Sequence, residues 1–346
     1  MTSGLRVRFV VDPSDPSPPW SLSRLRSSLT ALGHAVDVRS TSGDLEGVDL
    51  VHAFGTRAGA QARAACAGRV PWVLSLREGS ADDSVDAEEL GRVATEADAV
   101  MIRSSALADR LTRAGTSRAR SVVLPVGVDT DTFHRRGPMA NRTERIRLMV
   151  ELAHQRTGSD EACDALTYQE DLELVVLGSR DRTDALGRDA AAVLERAETL
   201  GVRDRVMIAW YGEPLEKAWW LRSAHAVLAL SREPGRADFV AEAMACGVAV
   251  VATPVEAQRD LVVHGVTGFL VAERDPAAAL RAVRDVVRDA FQIEALGLAG
   301  ADRALGRLAW ERVAVELASA YQRVVGLPRE GSSPDESHED ELEQTG

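Results

Sequence analysis

The chain has 346 residues, 45% hydrophobic and 27% charged, the balance of an ordinary folded protein long enough for two domains. The formal charge of −12 speaks against nucleic acid and anionic lipid as partners, yet half of it lies in Arg329–Gly346, with seven acids and one base. No apolar run reaches the roughly 20 residues that cross a bilayer, and Met1–Phe9 lacks a signal-peptide core, so no integral membrane segment and a cytoplasmic location are expected.

Aromatic residues make up only 4%, so Ala, Val and Leu must fill the core. Cys66, Cys163 and Cys246 are far apart and without ligand-like spacing, which predicts buried small hydrophobes and no metal site. Of the 41 basic residues only Lys217 is lysine. That bias reads as codon usage first, and it means that an arginine can stand where a motif has lysine.

The elements follow in order. Leu5–Val11 reads as a strand and Leu22–Leu32 as a helix closed by Gly33. Ala35–Val38, Val48–Ala53, Val70–Leu74, Ala99–Ile102 and Arg120–Leu124 are further strands, with helices at Ala58–Ala67, Ala87–Thr95 and Ala106–Ala114. Such alternation is the mark of parallel βαβ units, and continuous apolar runs are strands buried on both faces. A polar break at Phe133–Glu144 serves as the linker.

A second series follows, with strands Arg147–Val150, Leu172–Leu177, Arg205–Ile208, Ala226–Leu230, Val248–Ala252 and Gly268–Val271. Its expected helices are Asp189–Leu200, Pro214–Ser223, Val240–Cys246 and Asp275–Arg288, before a long amphipathic helix at Arg307–Val325. The fold class is therefore α/β, with two Rossmann-like doubly wound domains facing a cleft, where such sheets bind ligands at the carboxyl ends of their strands. The expected division is 1–135, completed by helix 307–325, then 136–306, then a disordered acidic tail over 327–346.

Several segments together resemble the retaining GT-B glycosyltransferases of family four. LPVGVDTDTF at Leu124–Phe133 is similar to that family's interdomain signature, AEAMACGVAVVATPV at Ala241–Val255 to its EAMACG core, and HGVTGFLV at His264–Val271 to the continuation. WERVAVELASAYQRVV at Trp310–Val325 resembles the closing helix, which in the family crosses back to the first domain. The resemblance runs from about Leu5 to Val325.

The resemblance implies transfer of a sugar, in the manner of a hexosyltransferase, from a nucleotide-diphosphate donor to a hydroxyl. Retention is expected, with no metal and no cofactor beyond the donor as substrate. Glu242, the second glutamate of the family's E-x7-E pair, would accept hydrogen bonds from the ribose hydroxyls. Gly235, Ala237, Asp238 and Val240 would form the loop and helix start around sugar and phosphates.

The match is imperfect elsewhere. Glu233 lies one position out of register from the family's first glutamate. The family's basic pair falls on Leu152 and Thr157, leaving Arg156 as the nearby cation, with Arg180 and Arg182 as further choices. Its glycine pair after the first strand is Pro18-Pro19-Trp20 here, its histidine falls on Arg77, and a second Gly-Gly becomes Glu256-Ala257. Arg77, Arg156 and Glu233 are thus the catalytic candidates. The acceptor, whether small molecule, glycan or lipid, is unassigned; a lipid would bring peripheral contact with the inner membrane face. The alternative is a lapsed transferase that binds a sugar nucleotide or supports a partner enzyme. His52 reads as a satisfied core histidine, and Trp219-Trp220 as packing.

Overall fold

The computed structural model describes residues 4–12, 21–76, 87–152, 158–231 and 237–326. The acidic tail and Pro18-Pro19-Trp20 lie outside these residues.

The first half carries β1 (Arg6–Val11), α1 (Ser21–Ala31), β2 (Ala35–Arg39), β3 (Leu50–Phe54), α2 (Thr56–Cys66) and β4 (Trp72–Ser75). It continues through α3 (Ala87–Glu96), β5 (Ala99–Ile102), α4 (Ser105–Arg113) and β6 (Ser121–Val123). These strands form one parallel sheet of order β2-β1-β3-β4-β5-β6. Apolar side chains cover both faces, Phe9, Leu50 and Met101 on one and Val51, Leu74 and Val100 on the other.

The second half runs β7 (Ile146–Glu151), α5 (Ser159–Tyr168), β8 (Leu172–Ser179), α6 (Thr183–Thr199), β9 (Val206–Tyr211), α7 (Pro214–Ser223) and β10 (Ala226–Ala229). Then come α8 (Ala237–Ala245), β11 (Ala249–Ala252), α9 (Ala257–Leu261), β12 (Gly268–Leu270), α10 (Pro276–Val287) and α11 (Ala290–Arg303). Its parallel sheet has the order β12-β11-β10-β7-β8-β9. Seven of the eight residues of β8, LELVVLGS, are buried, as a strand covered on both faces requires.

Three helices exceed the sequence expectation: α5, α9 and α11. The helix expected over Arg307–Val325 is divided. A π-helical turn at Ala304–Leu308 continues α11, Ala309 turns extended at ψ 138°, and α12 (Trp310–Val325) starts afresh. The break redirects the chain. At the crossing, Val128 N–H donates to Leu308 O at 2.7 Å and Trp310 N–H to Val128 O at 3.3 Å. Beyond it α12 buries Trp310, Val313, Leu317, Tyr321 and Val324 in the core of the first sheet. Their spacing of three or four residues is the apolar stripe of an amphipathic helix.

Arginines pin the linker to the second half. Arg222 Nε donates to Pro138 O at 2.7 Å, Arg142 Nε to Ser223 O at 2.8 Å, and Arg147 Nη2 to Asn141 O at 2.9 Å. The described helices include none long and apolar enough to cross a membrane.

Candidate functional site

In the second sheet strand order reverses at β7, which lies between β10 and β8. Ligands of doubly wound sheets bind outside the carboxyl ends of strands at such a point. The carboxyl end of β7 is Glu151, and α8 is the next helix described after β10.

Three charged side chains converge there. Lys217, from α7, places Nζ 2.7 Å from Glu151 Oε1 and 2.6 Å from Glu242 Oε2, Glu242 belonging to α8. All three side chains are less than a tenth exposed. Nζ also lies 5.3 Å from the ring centre of Tyr211 and 5.5 Å from that of Phe239, so two carboxylates and two aromatic rings enclose the ammonium. Tyr211 Oη donates to Glu151 Oε1 at 3.4 Å.

The electrostatics follow from burial. Burial by itself would drive a proton off Lys217, but Glu151 and then Glu242 outweigh it and hold the ammonium well above its ordinary pKa. Burial raises the Glu242 carboxyl to about 7, against the pull of Lys217 and with the push of Glu151. With both acids ionised the cluster would carry an excess negative charge in a poorly solvated place, and Glu242 holds its proton to about 7 accordingly. A polar ligand that donates hydrogen bonds relieves that charge.

Among the predicted site residues, Ala237, Asp238, Val240 and Glu242 come together on α8. Glu242 is neither a solvated surface glutamate nor isolated; it is 5% exposed and ion-paired. Val240 is fully enclosed in the second core, so its side chain is closed to a ligand. Asp238, in the same turn, lies 3.3 Å from Arg103 of the first half. Arg77, Arg156, Glu233 and Gly235 lie outside the described residues. Leu152, where the resemblance expects an arginine, is 6% exposed within the second core.

Sequence reasoning missed Lys217 and Glu151 as site residues. The available signal was Lys217 itself, one lysine among 41 basic residues. Arg180, expected as a spare cation, pairs with Glu216 at 3.0 Å on the exposed surface. His52 is fully buried, its Nδ1 2.5 Å from Tyr321 Oη and its Nε2 2.7 Å from Ser75 Oγ, as a satisfied core histidine should be. Trp219 and Trp220 meet edge to face, half-buried, at 5.3 Å.

Contacts across the cleft complete the setting. Besides Arg103–Asp238, Arg110 reaches Glu256 at 3.6 Å, and Asp260 accepts from Ser105 N at 2.7 Å and Ser105 Oγ at 2.9 Å. Glu256 stands at φ +45°, a left-handed conformation that favours glycine.

Two parallel doubly wound sheets, a helix crossing back to the first, and a cluster of buried charges at the switch point of the second are the features of the GT-B class. The chain belongs to the glycosyl transferases group 1. The family model of that description matches residues 131–301, and the glycosyl transferase 4-like domain matches 2–127. A relative, the D-inositol 3-phosphate glycosyltransferase of Xylanimonas cellulosilytica, is 32% identical over 289 residues, covering 79% of this chain and 66% of that protein. The chain thus spans slightly less than two thirds of that relative's length. Among solved structures, sucrose-phosphate synthase from Thermosynechococcus elongatus superposes with TM-score 0.74 at 18% identity, covering 92% of this chain and 99% of that one. Anabaena Alr3699/HepE in complex with UDP gives 0.73 at 16%, over 92% and 100%.

Proposed function

We propose that the chain transfers a sugar from a nucleoside-diphosphate donor to an acceptor hydroxyl, with retention and without a metal. The observation that carries this reading is Glu242, buried at the switch point and held against Lys217. In this reading its carboxylate accepts the ribose hydroxyls, two donors that match a carboxylate's acceptors. The diphosphate lies over the first turn of α8, where backbone amides and the helix dipole offset charge as the leaving group departs. Asp238 would oppose an anion there, and its contact with Arg103 offsets that repulsion. In the reaction the bond from the anomeric carbon to the diphosphate oxygen breaks and one to the acceptor oxygen forms. The acceptor's proton passes to the departing phosphate.

One observation favours the second reading, a lapsed transferase that binds a sugar nucleotide or supports a partner enzyme. Leu152 lies in the core where the transferase reading would place an arginine for the leaving group.

Thermal stabilisation by UDP, GDP, ADP and their sugar conjugates, with and without EDTA, separates the two. UDP comes first, because the Anabaena neighbour was solved with it. A ligand at 100 times its Kd adds about 2.7 kcal/mol. A shift with one nucleotide, indifferent to EDTA and lost in Glu242→Ala, supports the donor site. Turnover with that donor, tried on D-inositol 3-phosphate first after the relative's name, then supports the transferase. No shift with any nucleotide overturns the donor site. A shift without turnover on a wide acceptor panel favours the lapsed reading.

A further inference from the structure

We infer that Lys217 is a positioning residue, which sets the carboxylate of Glu242 so that the site discriminates ribose from deoxyribose. The inference rests on the ribose role proposed for Glu242.

The argument begins with which oxygen faces which way. Glu242 Oε2 is buried and 2.6 Å from Lys217 Nζ, in an approach too oblique for a hydrogen bond, so charge alone holds that oxygen. With Oε2 held by Lys217, the ribose role proposed for Glu242 falls to Oε1. A glutamate on a short helix has three side-chain torsions to fix. An ion pair to a side chain that is itself held in place restricts them.

The position of Lys217 is fixed in turn. Glu151, at the end of the switch-point strand, holds it from another side, with Oε1 2.7 Å from Nζ. The rings of Tyr211 and Phe239 bound it on other sides, 5.3 and 5.5 Å from Nζ. With Nζ held by both carboxylates, its action on a ligand passes through Glu242. It is also the single lysine of a chain whose other 40 bases are arginine. A slender ammonium fits between two carboxylates and two rings, where a planar guanidinium demands more space.

The test compares UDP, GDP and ADP with their 2′,3′-dideoxy counterparts by titration calorimetry, on the full chain. Wild-type protein should bind its preferred ribonucleotide about tenfold or more tightly than the dideoxy form, the worth of one or two hydrogen bonds to a charged acceptor. In K217M that ratio should fall towards one while the dideoxy nucleotide binds as before. K217R, which keeps the charge, should restore part of the ratio. K217M leaves two acids without their base, so K217M/E151Q, which removes one acid as well, is measured beside it and should lose discrimination equally.

A folded K217M or K217M/E151Q with the wild-type ratio overturns the inference and leaves the ribose role of Glu242 standing. Failure of both to fold assigns Lys217 to folding alone and overturns it too. Nucleotide binding by wild type without any ribose preference overturns the role of Glu242, and the inference with it.

Discussion

Asp260 grips the start of a helix that belongs to the other half of the molecule. Its Oδ2 accepts from Ser105 N at 2.7 Å and its Oδ1 from Ser105 Oγ at 2.9 Å, at the first residue of α4. A carboxylate there meets unpaired amides and the positive end of the helix dipole. The helix keeps its own cap as well, Ser104 Oγ accepting from Leu107 N at 3.0 Å. Asp260→Ala should therefore leave α4 formed but lower the stability to urea by about 1–2 kcal/mol. A loss of less than a few tenths would show that the contact contributes nothing to holding the halves together.

Glu256 offers a test of backbone strain near the cleft. At φ +45° it is in a conformation costing a non-glycine residue about 1–2 kcal/mol, and its pair with Arg110, itself 46% exposed, is worth less than that. Glu256→Gly should be at least as stable as wild type, whereas Glu256→Ala, which keeps the strain and drops the pair, should be less stable. Melting temperatures in the opposite order would mean that the side chain matters more than the backbone.

Gly127 makes the crossing of α12 possible. A Cβ added there would lie 2.5 Å from three carbons of the Trp310 indole, far inside contact distance. Gly127→Ala should cost about 2–3 kcal/mol by forcing Trp310 out of its place. Near-UV circular dichroism, sensitive to the indole environment, should change with it. An alanine variant with wild-type stability and spectrum would refute the packing argument.

His52 and His225 make stability depend on pH. Burial lowers the first to about 3 and the second to about 4, from an ordinary 6.5. The unfolded chain therefore binds protons in the interval where the folded one does not. The stability these residues contribute is complete above pH 6.5 and falls as pH drops, through 4 for His225 and 3 for His52. Each proton contributes at most about 1.4 kcal/mol per pH unit. Tyr321→Phe, which strips His52 Nδ1 of its partner at 2.5 Å, should cost about 1–3 kcal/mol at neutral pH. Urea midpoints measured from pH 4 to pH 8 check both. A flat profile would mean that the two rings take up protons in the folded state as readily as in the unfolded chain.

The strands were readable in the sequence because both faces of each sheet are covered, so runs such as Leu174–Leu177 are apolar throughout. Helix α11 was not, for a reason visible in its packing. Gly297 and Gly300 look like loop residues, yet they let the helix approach the turn after α8, where a Cβ on Gly297 would lie 2.1 Å from Gly247 O. Helix α5 buries only small residues and one leucine, Leu166, so its apolar stripe is faint. At the site, Glu242 was readable because its motif is local. The grouping of Glu151, Lys217 and Glu242 was not, since the three come from separate elements and only the sheet order brings them together.

The crossing helix also governs when the first sheet can finish folding. Its core takes Trp310, Val313, Leu317 and Tyr321 from the far end of the chain. As the protein is synthesised, the amino-terminal strands emerge early and must wait, with apolar surface open, until residues beyond 320 have left the ribosome. The second sheet contains no strand past Leu270, and its cores draw on residues up to Leu308. The sheet synthesised first is thus the one whose core is completed later along the chain, at Val324 against Leu308 for the second.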